Sequence, residues 1–99
     1  MVALEELIVR WTDYFRYRAA ARGFDLAKIE QILRFSGERY QDAVTGRMVV
    51  VGRHAELLVV IPYEEREAAL IPVTIHATTR QQINFRLKAG RYHPCERHR

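Results

Sequence analysis

The chain has 99 residues, 48% of them hydrophobic and 28% charged, which supports one compact domain and excludes a multidomain enzyme or a disordered chain. No run approaches the roughly 18 apolar residues that a membrane-spanning helix requires, so no membrane partner is expected. The net charge of +4 is unevenly placed: residues 80–99 hold six basic side chains against one acidic. A concentration of arginine of this kind either solvates a helix and tail or offers a face to polyanions such as RNA.

Met1–Arg10 carries Glu5 and Glu6 and lacks the basic, apolar and small-residue pattern of a secretory signal, so a cytoplasmic location is expected. The single cysteine, Cys95, permits no internal disulfide, in keeping with a reducing compartment.

In chain order, Leu7, Ile8, Val9 and Trp11 read as a short strand, although the same residues also fit one stripe of a helix. Thr12 then caps a first helix running from Tyr14 to Arg22 and ending at Gly23. Asp25 caps a second, whose Leu26, Ile29, Ile32 and Leu33 form an apolar face, with Glu30 and Arg34 paired at i,i+4 and Gly37 just past its end. From Arg39 the texture changes to short Val-, Ile- and Thr-rich runs, which predict an antiparallel meander. Its strands are Arg39 to Val44, Arg47 to Arg53, Leu57 to Tyr63 and Leu70 to Ala77, with a turn at Thr45-Gly46 and a charged loop at Glu64 to Glu67. Pro62 and Pro72 should mark an edge or an irregularity. Leu57 to Ile61 is apolar at consecutive positions, as in a strand covered on both faces. The fold class expected is α+β: two N-terminal helices packed on an antiparallel β-meander with a C-terminal helix, in one domain over residues 1–92, followed by a flexible basic tail over 93–99. If one sheet face stays bare, a homodimer is the expected way of covering it.

The stretch Ile75-His76-Ala77-Thr78-Thr79-Arg80-Gln81-Gln82 carries the chemistry, because a strand runs directly into a helix there. Thr79 with Gln82 fits a capping box, and Thr78 with Gln81 fits the same motif one residue earlier. Arg80, Asn84, Lys88 and Arg91 recur on one polar stripe of the helix. Free amides at the helix start, with Arg80 beside them, form a candidate phosphate cradle, and His76 at its rim titrates near neutrality. A strand histidine satisfied by the backbone and two capping threonines account for the same residues without chemistry, so both readings stay open. Arg53 and His54, at the end of a meander strand, can approach the same corner, and Tyr40, Tyr63 and Tyr92 are candidates for stacking on bases. His93, Cys95 and His98 lack a fourth ligand, so neither a metal nor any other cofactor is expected.

In order and spacing, Arg18, Arg22-Gly23, Asp42 with Thr45-Gly46-Arg47, Val51-Gly52-Arg53, the Leu57 to Ile61 strand and Pro72-Val73-Thr74-Ile75-His76 before the Thr-Thr-Arg helix form a pattern. This pattern resembles the BrnT-like branch of the RelE/ParE superfamily, the small toxins of type II toxin-antitoxin systems, over roughly Trp11 to Arg91. Relatives often carry a histidine one turn before the position of Arg18, where this chain has Tyr14. The resemblance implies a RelE-like fold, metal-free endoribonuclease activity by attack of a ribose 2′-OH on the adjacent phosphorus, and neutralisation by a cognate antitoxin protein. Carried onto this chain, it puts a phosphate clamp on Arg80, helped by Arg53 or Arg86, and proton transfer on His76 or His54. Thr79, Asn84, Lys88 and Arg91 would complete the RNA-binding set. The alternative is a noncatalytic RNA- or protein-binding module using the same cationic stripe.

Overall fold

The computed structural model describes residues 3–95. After a single 3-10 turn at Leu4–Glu6, the elements are β1 (Ile8–Val9), α1 (Asp13–Ala21), α2 (Leu26–Phe35), β2 (Glu38–Asp42), β3 (Met48–His54), β4 (Leu57–Arg66), β5 (Ala69–Pro72), β6 (His76–Thr78), α3 (Arg80–Lys88) and β7 (Tyr92–Pro94). The class is α+β. Among the described residues no helix is long and apolar enough to cross a membrane.

Local chemistry starts and stops the helices. The hydroxyl of Thr12 accepts from the Phe15 amide at 3.0 Å, the Asp25 carboxylate from the Ala27 amide at 2.8 Å, and the hydroxyl of Thr79 from the Gln82 amide at 3.1 Å. Each occupies an amide that the first turn leaves without a partner. The Gln82 side chain does not reach back to complete a capping box; its Oε1 accepts from the Thr78 hydroxyl at 3.0 Å. Gly23 and Gly90 follow α1 and α3 with φ of +75° and +81°, and the amides beyond them bond back to Ala19 and Arg86, closing the helix ends where a left-handed residue is needed.

The strands form one mixed sheet in the order β1-β5-β4-β3-β2-β7, with β6 pairing β4 beside β5. The expected meander is present over β2 to β5, while β1 runs parallel to β5 and makes the sheet mixed. The expected loop at Glu64 to Glu67 is largely strand: β4 continues through Arg66, and the chain turns at Glu67 and Ala68, both in the left-handed region with φ of 52° and 62°. Alternation explains this, because Tyr63 buries inward while the acidic side chains line the outer part of the strand. The single strand expected over Leu70 to Ala77 is broken at 73–75. Pro62 lies inside the central strand opposite that break. Its carbonyl accepts from the Val73 amide at 2.8 Å, and lacking an N–H it offers no donor to continue the ladder there. His93 and Pro94, expected as tail, pair with Gln41 and Tyr40 in β7; positions 96–99, including His98, lie outside the described residues.

Both faces of the sheet are covered. Phe15, Ala19, Ile29, Ile32 and Leu33 from α1 and α2 pack with Val50, Val59, Ile61 and Ile75 on one face, and Ile83 and Leu87 of α3 pack with Val49, Val51, Leu58 and Val60 on the other. The consecutive burial of Leu58 to Ile61 in β4 follows directly.

The approach of α2 to β3 depends on Gly52. A Cβ there would lie 2.7 Å from Cγ2 and 2.9 Å from Cγ1 of Ile32, both close to the backbone of a β-branched side chain held in the core. Gly52→Ala is therefore expected to lower stability by about 1–3 kcal/mol. Urea unfolding of the single variant and of the Gly52→Ala, Ile32→Ala pair checks it: additive losses in the pair would rule out this contact as the cause.

Candidate functional site

The last third of the chain delivers its polar groups to the α3 face of the sheet. His76 on β6 stands opposite Val60, and the two lie on the side where α3 packs. Beneath α3, a cavity of about 500 Å³ is lined by His76 and Thr78 from β6, Gln82 and Arg86 from α3, Arg91 and Tyr92 beyond it, and Asp42, Thr45 and Arg47 around the β2–β3 turn.

Arg91 is fixed by the turn that ends α3. Its amide bonds to the Arg86 carbonyl at 3.0 Å, its carbonyl accepts from Ala43, and its guanidinium makes two 3.0 Å hydrogen bonds to Asp42. Asp42 is 4% exposed and also accepts from the Val44 and Thr45 amides, so burial raises its pKa but these bonds outweigh it and hold the carboxyl below its ordinary range. Arg47 donates to Glu64 at 3.2 Å. Arg86 lies over the Tyr92 ring, 5.7 Å from its centre, and makes no ion pair among the described residues. The His76 imidazole is held below its ordinary pKa, first by partial burial and then by the charges of Arg22, Arg18 and Arg86. It is therefore neutral at physiological pH, in a setting that is otherwise cationic.

Of the residues singled out from sequence, His76, Arg86 and Arg91 line this cavity together. Arg80 does not line it; its guanidinium makes a two-pronged ion pair with Glu38 of β2, at 2.5 and 3.1 Å. Glu38 also accepts from the Tyr40 hydroxyl, and burial together with that bond pushes the Tyr40 phenol up to about 12. His54 lies on the opposite face, 8% exposed, where its Nε2 accepts from the Asp25 amide at 2.8 Å and its ring meets Phe24 edge-on. That geometry makes His54 a buried acceptor at the start of α2. Arg53 donates to the Glu56 carbonyl across the β3–β4 turn, and Thr79 is occupied as the α3 cap. Asn84 and Lys88 border a separate shallow depression on the outer side of α3. Tyr63 and Tyr92 are buried, the latter stacked on Tyr40, so their faces are used internally; the most exposed aromatic rings are Tyr17 and Phe85.

Sequence reasoning missed Asp42, Thr45 and Arg47 as neighbours of His76, because the pairings of β3 with β4, β4 with β6 and β2 with β7 bring together stretches far apart in the chain. No protein-family model, curated protein or solved structure matches this chain.

Proposed function

We propose that the protein is a metal-free endoribonuclease of the toxin type, with a RelE-like arrangement of its helices and sheet, and that a cognate antitoxin protein restrains it. The observation that supports this reading is the grouping of one neutral imidazole, His76, with an arginine that holds no carboxylate among the described residues, Arg86, on one cavity wide enough for a phosphodiester. In this scheme the neutral His76 takes the proton of a ribose 2′-OH as its oxygen attacks the adjacent phosphorus. Arg86 stabilises the additional negative charge on the phosphoryl oxygens, the bond to the 5′ oxygen breaks, and water protonates that leaving group. The products are a 2′,3′-cyclic phosphate and a 5′-hydroxyl. Arg91, already paired with Asp42, orients the strand more than it neutralises it.

The clamp expected on Arg80 moves to Arg86 in this proposal, since Glu38 already occupies the Arg80 guanidinium. The test is incubation of the purified chain with end-labelled single-stranded RNA, and with translating ribosomes, in the presence of a chelator. Fragments ending in cyclic phosphate are the expected product; intact RNA in both mixtures would refute the proposal.

One observation favours a second reading, a noncatalytic RNA-binding module: Arg47, Arg80 and Arg91 all hold carboxylates, leaving a single imidazole for proton transfer on the cavity. That module would bind RNA with a steep salt dependence, give no product, and be indifferent to replacement of His76.

A further inference from the structure

We infer that Phe85 forms a stacking subsite for an unpaired nucleobase, next to the cavity that holds His76 and Arg86. The inference rests on the ribonucleolytic reading above and adds to it where the base flanking the bound phosphate is held.

Phe85 is 70% exposed although it lies on a helix whose packing on the sheet is already supplied by Ile83 and Leu87. The core does not need this ring. It borders a depression of about 550 Å³ whose other walls are Gln81, Gln82, Arg86, Ala89 and Arg91. Gln82, Arg86 and Arg91 belong to the His76 cavity as well, so the two hollows share a wall. A phosphate against Arg86 therefore has its neighbouring sugar and base within reach of the Phe85 face. Gln82 spends its oxygen on the Thr78 hydroxyl, whereas the Gln81 amide makes no side-chain hydrogen bond among the described residues and presents both a donor and an acceptor to the edge of a base.

Charge and composition favour a nucleic acid over a protein segment here. Between Glu67 and Glu96 the chain contains no acidic residue, while Arg86, Lys88 and Arg91 surround the ring. A helix face that docks a peptide presents several apolar anchors at helical spacing. Around Phe85 the exposed positions are Gln81, Gln82, Asn84, Lys88 and Ala89, with Leu87 half-buried, so Phe85 is the one large apolar side chain that α3 leaves exposed. A lone aromatic face flanked by cations matches the way proteins hold unpaired bases, where stacking is indifferent to base identity.

The probe is an uncleavable 2′-O-methyl oligonucleotide carrying 2-aminopurine, titrated into the full chain while fluorescence and anisotropy are followed. The parent should quench the fluorescence on binding. Phe85→Ala should abolish the quench and bind about tenfold more weakly, and Phe85→Trp should restore both. With cleavable RNA, the same Phe85→Ala change should raise KM while leaving kcat largely in place. Because the ring is exposed, thermal unfolding followed by circular dichroism should be unchanged in Phe85→Ala. Equal quenching and affinity in Phe85→Ala, with cleavage by the parent intact, would overturn the subsite and leave the ribonuclease reading standing. A parent that neither binds nor cleaves RNA removes both. Unchanged oligonucleotide binding together with loss of self-association in Phe85→Ala would assign the ring to a protein contact instead.

Discussion

Arg86→Ala is expected to reduce RNA cleavage by on the order of a hundredfold to a thousandfold, the cost of removing one donor from a site where charge develops. The effect should be larger than for the arginines around the cavity whose guanidiniums hold carboxylates, for a reason visible in the pairing. Arg91 gives two hydrogen bonds to Asp42, Arg80 gives two to Glu38, and Arg47 gives one to Glu64, so each offers phosphate a cation that a carboxylate already offsets. Among the described residues Arg86 has only the face of Tyr92 beneath it, which leaves its donors for a ligand.

The pH profile separates this role from simple binding. Partial burial, and then Arg22, Arg18 and Arg86, hold the His76 pKa below its ordinary value of 6.5, and the neutral form is the one that accepts a proton. In the parent, kcat/KM should therefore rise from acid pH through that lowered pKa and level off at a lower pH than an ordinary imidazole would give. Removing the Arg86 charge relieves part of the depression, so the acid limb in Arg86→Ala should move toward higher pH, and in His76→Gln it should vanish. Single-turnover cleavage measured from about pH 5 to pH 8 reads all three profiles. An Arg86→Ala variant that cleaves like the parent, or an acid limb that survives in His76→Gln, would break the proposed division of roles.

Much of the scaffold was legible because its signals are local. Thr12, Asp25 and Thr79 mark helix starts through hydrogen bonds spanning two or three residues, and the apolar run announces a strand covered on both sides, which holds over Leu58 to Ile61 but not at Leu57, an exposed residue at the strand's start. Pro62 and Pro72 announced an irregularity, but not that it would divide the last strand into β5 and β6, because the missing donor of Pro62 lies on the neighbouring strand. The pairing of β7 was equally hidden, because Tyr92–Pro94 is too short to declare itself and its partner lies some fifty residues earlier. The candidate site divides along the same line. Sequence located His76, Arg86 and Arg91 in the basic last third, but the distance of 42 positions between Glu38 and Arg80 concealed the ion pair that draws Arg80 away, and the same long-range folding concealed Asp42 and Arg47.

Arg39→Met should be strongly destabilising for a change outside the apolar core, at about 2–4 kcal/mol, the cost of leaving acceptors without donors. Arg39 is 3% exposed and makes no ion pair among the described residues. Its charge is met by dipoles instead: it donates to the Leu33 carbonyl, to the Ser36 carbonyl at 3.1 Å and to the Tyr63 hydroxyl at 3.1 Å, and lies over the Tyr63 ring. Leu33 and Ser36 belong to the end of α2, where the carbonyls have no helical partner and the helix dipole favours a cation. Arg39 thus closes α2 and ties it to β2 and β4 at once. Methionine fills similar volume but leaves the Leu33 and Ser36 carbonyls without the donors that Arg39 supplies, and lysine lacks the directed fork that reaches both while lying over the Tyr63 ring. Urea unfolding measures the loss. Because no carboxylate is involved, that loss should be nearly the same at low and high salt and across the range in which acidic groups titrate. A strong salt dependence, or a loss below about 1 kcal/mol, would show that the guanidinium is held by something other than the end of α2.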